Sequence, residues 1–341
     1  MGFIALILSL MLEQLRPLTR ANPVHATAGR FASAVASATD AGQRSQGVIG
    51  WAVVMGLALV SVFALELLLE QVHPLAVLAL HVGVLYFTMG FRQFSHAFTE
   101  IQIALAANDP QGAREALQRW ICPADPGFDA SDLSSAEVCR SAIARALISA
   151  HRYVFGPLFW YMLLPGAMGP VLYRGAQFLA ERWGDVAQTS AGGRPSSSSG
   201  QSAAYGEVAM TVYRWLDWVP SRLAAAGFAI VGNFEDAVYC WRAAASVKGG
   251  DGQRRLLLMA GSGALGVRLA DPSIEAAVRA TQASGTDSEA SPAGAQPGGF
   301  DWQGVEPDAQ SLRSAVGLVW RALILWILLF AMLTIANWLG R

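Results

Sequence analysis

His96 and Glu100 stand four residues apart in the stretch FRQFSHAFTEIQIALAAND. That spacing puts both side chains on one face of a helix. An imidazole beside a carboxylate could form half of an acid–base or metal site, although a solvated helix face carries the same spacing more often. Other groups able to do chemistry are sparse. The acids outside the low-complexity segments include Glu66, Asp109, Asp125, Asp217, Glu235 and Asp236. Arg152, Arg174, Arg214 and Arg222 could meet a phosphate through charge-assisted hydrogen bonds, although an ordinary interface arginine is the commoner case for each. Cys122, Cys139 and Cys240 show no CxxC or histidine-paired spacing, so neither a metal site nor a disulfide framework is expected. Residues 261–266, GSGALG, spell G-x-G-x-x-G. No strand pattern precedes them and no βαβ pattern surrounds them, which excludes a dinucleotide site.

The elements that must position these groups are apolar helices. The chain has 341 residues, of which 53% are hydrophobic and only 14% charged, against about 25% charged in soluble proteins. An all-α, polytopic membrane protein is expected, multi-pass in a bacterial inner membrane, with the lipid bilayer as its first partner. The net charge of −1 gives no reason to expect nucleic acid. Residues 2–12 form a short apolar run with no basic region before it and no small-residue cleavage site after it, so no cleavable signal peptide is expected. The loop after it carries Arg16, Arg20, Arg30 and Arg44 against Asp40, a cytoplasmic signature. Residues 48–70, 74–91 and 316–338 read as full spans, and three short or broken candidates bring the expected total to four to six. Glu66 near the end of the first span is expected to snorkel, with an intramembrane acid facing a partner as the sharper alternative, and His81 in the second to be a packed, hydrogen-bonded residue. The helical pattern then continues past residue 91 into a cytoplasmic extension. Asp109 is expected to cap a helix that begins at Pro110.

The stretch 152–174, RYVFGPLFWYMLLPGAMGPVLYR, organises the rest. It is almost wholly apolar yet carries Gly156-Pro157, Pro165-Gly166 and Gly169-Pro170. Each proline removes a backbone donor and crowds the turn before it. Such breaks survive in a membrane where neighbours satisfy the freed carbonyls. Two readings fit: a broken or re-entrant helix, or a span kinked for packing. A re-entrant 157–173 would keep Arg174, Arg182, Arg194 and Arg214 on the cytoplasmic side. Further on, YRWLDWVPSRLAAAGFAIVGNF reads as a short or tilted membrane helix. Trp215 and Trp218 fall at its interface, and Pro220 is expected to start a new helix.

Along the chain this gives five segments. Residues 1–186 hold the N-terminal membrane helices, a cytoplasmic helical insertion (92–150) and the broken helix. A Gly/Ser linker follows at 187–206. Residues 207–280 hold the short membrane helix and a cytoplasmic segment, 281–300 a second low-complexity linker, and 301–341 the C-terminal span.

FGPLFWYMLLPGAMGPVLYR, then WLDWVPSRL, then the apolar C-terminal span resemble, in that order, the CobD/CbiB superfamily of bacterial membrane proteins, which includes an AmpE-like branch. Asn22-Pro23-Val24 and IQIALAANDPQGAREAL fit as well. The cobalamin enzymes of the superfamily join an amino-alcohol phosphate to adenosylcobyric acid with ATP and Mg²⁺, so the resemblance implies ATP and Mg²⁺ as cofactors if that activity is kept. The departures fall on acids and amides. Where the family has E-N-x-x-D, this chain has Ile148, Ser149 and Arg152; where it has D-P and H-P-V, Arg16-Pro17 and Asn22-Pro23-Val24; where it has G-R-D, Cys122-Pro123-Ala124-Asp125. Before W-x-P-x-R-L it has Tyr213, Arg214 and Asp217. The arginine five residues before P-L-F-W and the spelling L-D-W-V-P-x-R-L resemble the AmpE-like branch. The resemblance to that branch therefore implies, as the expected function, a signalling or accessory role without the synthase's acidic site, with the amide-forming synthase as the alternative. Under either branch the expected ligand-binding residues are Arg152, Arg174, Asp217, Arg222, His96 and Glu100, with a small phosphorylated ligand or a membrane-protein partner. Arg152 and Asp217 are expected to face one polar cavity.

Overall fold

The structure is a computed structural model. It describes residues 2–15, 23–40, 43–123, 125, 127–191, 203–247, 251–269, 276, 278, 302 and 304–340, with side chains from 26, 96 and 205 at the starts of three helices and up to 184 at the end of a fourth. Arg16-Pro17, Asn22, Ala124, Arg194, Lys248 and the segment 281–300 lie outside the described residues, as does most of 187–206.

The described chain is all-helical. In order the helices are α1 (Gly2–Leu15), α2 (Pro23–Thr39), α3 (Arg44–Val72), α4 (Pro74–Thr88), α5 (Phe91–Ala106), α6 (Pro110–Ile121) and α7 (Ser135–Ala150). A π-turn (His151–Phe155) leads to α8 (Gly156–Leu163), followed by α9 (Met168–Ala191), α10 (Ala203–Val231), α11 (Phe234–Ser246), α12 (Gly252–Leu265) and α13 (Ala309–Leu339). Among the described residues the pairing of extended segments is limited to a single parallel bridge, Val267 to Val305.

The chain groups into two compact units. The first comprises Met1–Gln93 and Tyr153–Pro220; the second comprises Phe94–Arg152 and Ser221–Arg341. In the first, α1 packs on α4, α2 on α3, and α9 on α3, α4 and α8. Its core gathers Ala32, Ala36, Met55, Leu179, Trp183, Tyr205 and Ala209. In the second, α11 packs on α12, and α7 packs on α6, α12 and α13.

α3 and α13 are long and apolar enough to cross a membrane. At 29 residues α3 measures about 43 Å, against a hydrocarbon core of about 30 Å. Only 6% of its most apolar window is buried inside the protein. That much exposed Leu, Val and Phe needs another apolar medium, and lipid supplies it. The second expected span is shorter than the sequence suggests. α4 has 15 residues, about 22 Å, and ends at Thr88 instead of running through 91 into α5. The Thr88 hydroxyl donates to the Val84 carbonyl at 2.7 Å, and Met89 is extended. A hydroxyl that bonds back to its own turn competes with the helix ladder.

Local caps fix the starts of several helices. Asp109 Oδ1 accepts the Gly112 N–H at 2.9 Å ahead of Pro110, as its position implies. Ser134 and Glu137 form a reciprocal capping box at the start of α7. The residues 261–266 are the last turns of α12 and its αL cap, Gly266, with φ of 71°. Gly263 serves packing: a Cβ there would lie 2.3 Å from the Asp236 carbonyl oxygen.

Candidate functional site

In the first unit, the two segments that carry the family resemblance meet. The stretch 152–174 divides into α8 and α9 around a break at residues 164–167, where Gly166 has φ of +70°. A positive φ is natural for glycine and costly for other residues. The break turns on Pro165-Gly166 as the sequence implies, and Pro170 falls in the first turn of α9, where its missing N–H would have had no helical partner. Gly156-Pro157 does not break the chain. The π-turn just upstream absorbs the bond that Pro157 cannot make. Gly169 lets α9 close on α8, since a Cβ there would lie 2.1 Å from the Trp160 carbonyl oxygen.

α10 runs unbroken through Pro220, which was expected to begin a helix. A proline inside a helix leaves the carbonyl four residues earlier without its donor. Here that carbonyl belongs to Leu216, and the Trp160 indole N–H donates to it at 3.2 Å. A side chain from α8 thus replaces the missing bond of α10.

The same two segments bury a polar cluster. Tyr173 on α9 is fully buried and donates its hydroxyl to Asp217 Oδ1 on α10 at 2.7 Å. Tyr213, one turn before Asp217, lies 3.4 Å from the Tyr173 hydroxyl. Asp217 is only 5% exposed, and a buried carboxylate persists only with hydrogen bonds to stabilise it. Gly156 makes room for the Tyr173 ring: a Cβ would lie 2.2 Å from Cζ. Next in sequence, the Arg174 guanidinium sits 4.5 Å from the centre of the Tyr153 ring. It also donates to Gln177 Oε1, and Gln177 donates to Glu181 at 2.8 Å. Arg174 Nε is buried with no hydrogen-bond partner among the described residues. A held guanidinium with an unfilled donor, next in sequence to a buried carboxylate's tyrosine partner, can bind an anionic oxygen of a ligand.

A second buried chain in this unit escaped the sequence reading, which took its members singly. Glu66 Oε1 lies 2.9 Å from His81 Nε2, and His81 Nδ1 lies 2.9 Å from the Tyr161 hydroxyl. Glu66 does not snorkel; its Oε2 accepts the Ala167 N–H at 3.3 Å, across the break before α9. The available signal was the tight turn at His73-Pro74, which lets α3 and α4 pair with Glu66 and His81 near each other.

The other expected site residues belong to the second unit. Arg152 is half-buried in the π-turn and Arg222 half-buried on α10. His96 and Glu100 are exposed on α5, and Glu100 pairs with Arg119 of α6 at 3.2 Å. Exposed pairs of this kind contribute little. Asp236 supports the Asn233 cap of α11, with Asn233 Nδ2 donating to it at 2.7 Å. Cys139 is buried, and desolvation, with the Asp308 charge second, pushes its thiol up to about 11, which suppresses thiolate chemistry. Hydrogen bonds from the Ser311 side chain and backbone hold the Asp308 carboxyl below its ordinary range. Among the described residues no three His, Cys, Asp or Glu side chains group so that they could hold a metal ion.

A helical protein with apolar spans and a buried Tyr173–Asp217 pair beside a broken helix is a membrane protein with a built polar site. Its family follows from comparison: residues 3–295 match the family described as CobD/Cbib protein, and the chain belongs to that family. It is 28% identical over 343 aligned residues to the cobalamin biosynthesis protein CobD of Stutzerimonas stutzeri, covering 99% of this chain and 98% of that protein. It is 32% identical over 200 residues to the protein of the same name from Chromobacterium violaceum, covering 58% of this chain and 57% of that one. No solved structure matches the chain.

Proposed function

We propose that this protein works at the bacterial inner membrane in cobalamin biosynthesis, forming the amide between adenosylcobyric acid and an amino-alcohol phosphate. The observation that carries this reading is the likeness to a CobD-named protein along nearly the whole of both chains. The geometry supports it: the segments bearing the resemblance converge at Trp160–Leu216 and Tyr173–Asp217, with Arg174 next in sequence to Tyr173. In this reading Arg174 takes a phosphate oxygen through its open N–H. Asp217 and Tyr173 hold one another in place, and the Asp217 carboxylate orients the amine. The described residues form no cluster of three His, Cys, Asp or Glu side chains that could hold a divalent ion.

A second reading follows from particular residues. Ile148, Ser149 and Arg152 stand where the synthases carry E-N-x-x-D. Loss of those acids and amides favours an AmpE-like signalling or accessory protein that keeps the scaffold and binds without reacting.

The test is the purified, detergent-solubilised protein with adenosylcobyric acid, an amino-alcohol phosphate, ATP and Mg²⁺, beside a cobalamin-branch enzyme as positive control. Product that requires Mg²⁺ and falls at least tenfold in Arg174→Gln is the expected result. No product beside a working control overturns the synthase reading in favour of the accessory one.

A further inference from the structure

The Glu66–His81–Tyr161 chain holds more hydrogen-bond partners than a carboxylate, a neutral imidazole and a phenol have hydrogens to serve. The Tyr161 hydroxyl reaches the Gly2 carbonyl at 3.2 Å, and the carbonyl can only accept. When Tyr161 donates there, it must accept from His81, so Nδ1 carries a hydrogen. Glu66 is an acceptor when ionised, which requires a second hydrogen at Nε2. The full set is therefore complete only when the Glu66–His81 pair carries one proton beyond a carboxylate and a neutral imidazole. That proton can sit on either member. Remove it, and Nε2–H still serves Glu66, but bare Nδ1 takes the Tyr161 hydrogen away from Gly2.

The geometry points to a proton-operated latch: one proton on the Glu66–His81 pair decides whether Tyr161 ties α8 to the start of α1 or bonds inward to the imidazole. The latch is independent of the function proposed above. His81 is 8% and Tyr161 6% exposed, so water cannot readily substitute for either partner. The helices packed on α4 are α1, α3 and α9. Their described ionisable groups are Glu13 on α1; Arg44, Glu66 and Glu70 on α3; and Tyr173, Arg174, Glu181 and Arg182 on α9. Of these only Glu66 is hydrogen-bonded to the His81 ring, and Tyr161 on α8 takes its other nitrogen. The latch also bears on the break. Glu66 holds the Ala167 N–H, and a Cβ on Gly166 would lie 2.2 Å from its Oε2. Buried ionisable groups among apolar helices are characteristic of proton-linked function.

The test is ring-¹⁵N histidine NMR of the full-length protein in detergent across pH 4–10, with the His81 signals assigned by their loss in His81→Gln. Amide exchange at the start of α1, corrected for intrinsic rates, is followed over the same range. The expected result is an Nδ1 that gains and loses its hydrogen while Nε2 keeps one whenever Glu66 is ionised. Protection at the start of α1 should fall severalfold when Nδ1 becomes bare. In Tyr161→Phe that change in protection should vanish. An Nδ1 in one state throughout, or a transition without any change at α1, overturns the latch. If His81→Gln does not fold, the His81 signals are assigned by elimination, replacing the other four histidines in turn, and the wild-type series then decides.

Discussion

Replacing Trp160 with phenylalanine tests whether its indole N–H stands in for the amide that Pro220 lacks. The substitution removes the donor to the Leu216 carbonyl, 3.2 Å away, and keeps an aromatic ring in place. Leaving a buried acceptor unpaired costs about 1–3 kcal/mol. This carbonyl is part-buried, and side-chain hydrogen bonds in membrane proteins measure about 0.6–1.7 kcal/mol, so about 1 kcal/mol is expected from the bond. A further loss comes from the smaller ring. The two are separated by Pro220→Ala, which restores an N–H aimed at the same carbonyl. In that background Trp160→Phe should cost only its packing, and the double-mutant cycle should show a coupling of about 1 kcal/mol. Reversible unfolding in mixed micelles of dodecyl maltoside and SDS, followed by far-ultraviolet circular dichroism, gives the four stabilities. Additive effects, with a coupling under about 0.3 kcal/mol, would refute the substitution of one donor for another. Pro220 would then be tolerated for a reason unrelated to Trp160.

Three other substitutions follow from the same geometry. Gly156→Ala would put a Cβ 2.2 Å from Tyr173 Cζ and force the ring away from Asp217. We expect about 1–3 kcal/mol of destabilisation and, in any binding assay of the purified protein, a loss like that of Tyr173→Phe. Gly166→Ala combines an unfavourable φ, about 1–2 kcal/mol, with a clash on Glu66. Adding Glu66→Ala should relieve the clash but leave the backbone cost, seen as non-additive melting temperatures. Asp308 caps α13, with the Ser311 N–H at 2.7 Å, and replacing it with alanine should cost about 1 kcal/mol. Its carboxyl titrates below the ordinary 3.8 when folded, so its contribution is present above pH 3.8 and disappears as pH falls through the folded value. Asp308→Asn should keep most of the cap at neutral pH and flatten the loss of stability that wild type shows below pH 4.

Much of the fold is legible in local chemistry. Apolar length gives α3 and α13, the Asp109-Pro110 pair gives the start of α6, and Pro165-Gly166 gives the break between α8 and α9. What local chemistry specifies poorly is partnership. Glu66 read alone looks like a snorkelling acid, and His81 read alone looks like packing. Their bond depends on the register of two helices about a turn, and no periodicity within either helix encodes that register. Asp217 was legible as a candidate because few acids lie in apolar helices. Its hydroxyl donor, Tyr173, carries no such signal, because a tyrosine at the end of an apolar stretch is ordinary. Arg174 was legible as a cation, but the ring beneath it, Tyr153, comes from the other side of that break.

The prolines make the same point in sharper form. A proline states in the sequence which carbonyl loses its donor, but does not say what replaces it. For Pro170 the answer is local, because the first turn of a helix has spare donors and needs none there. For Pro157 it is also local, a π-turn that re-spaces the ladder. For Pro220 the carbonyl left over is that of Leu216, and the answer lies 56 residues from it in an indole on another helix. The local rule therefore places a helix start where the chain has none. The misplaced boundary and the convergence of the family's two marked segments have one cause: α10 can stay continuous through a proline because α8 supplies the bond. A chain that keeps Pro220 is then stabilised by a donor at position 160, and that bond ties the broken stretch to the helix carrying Asp217.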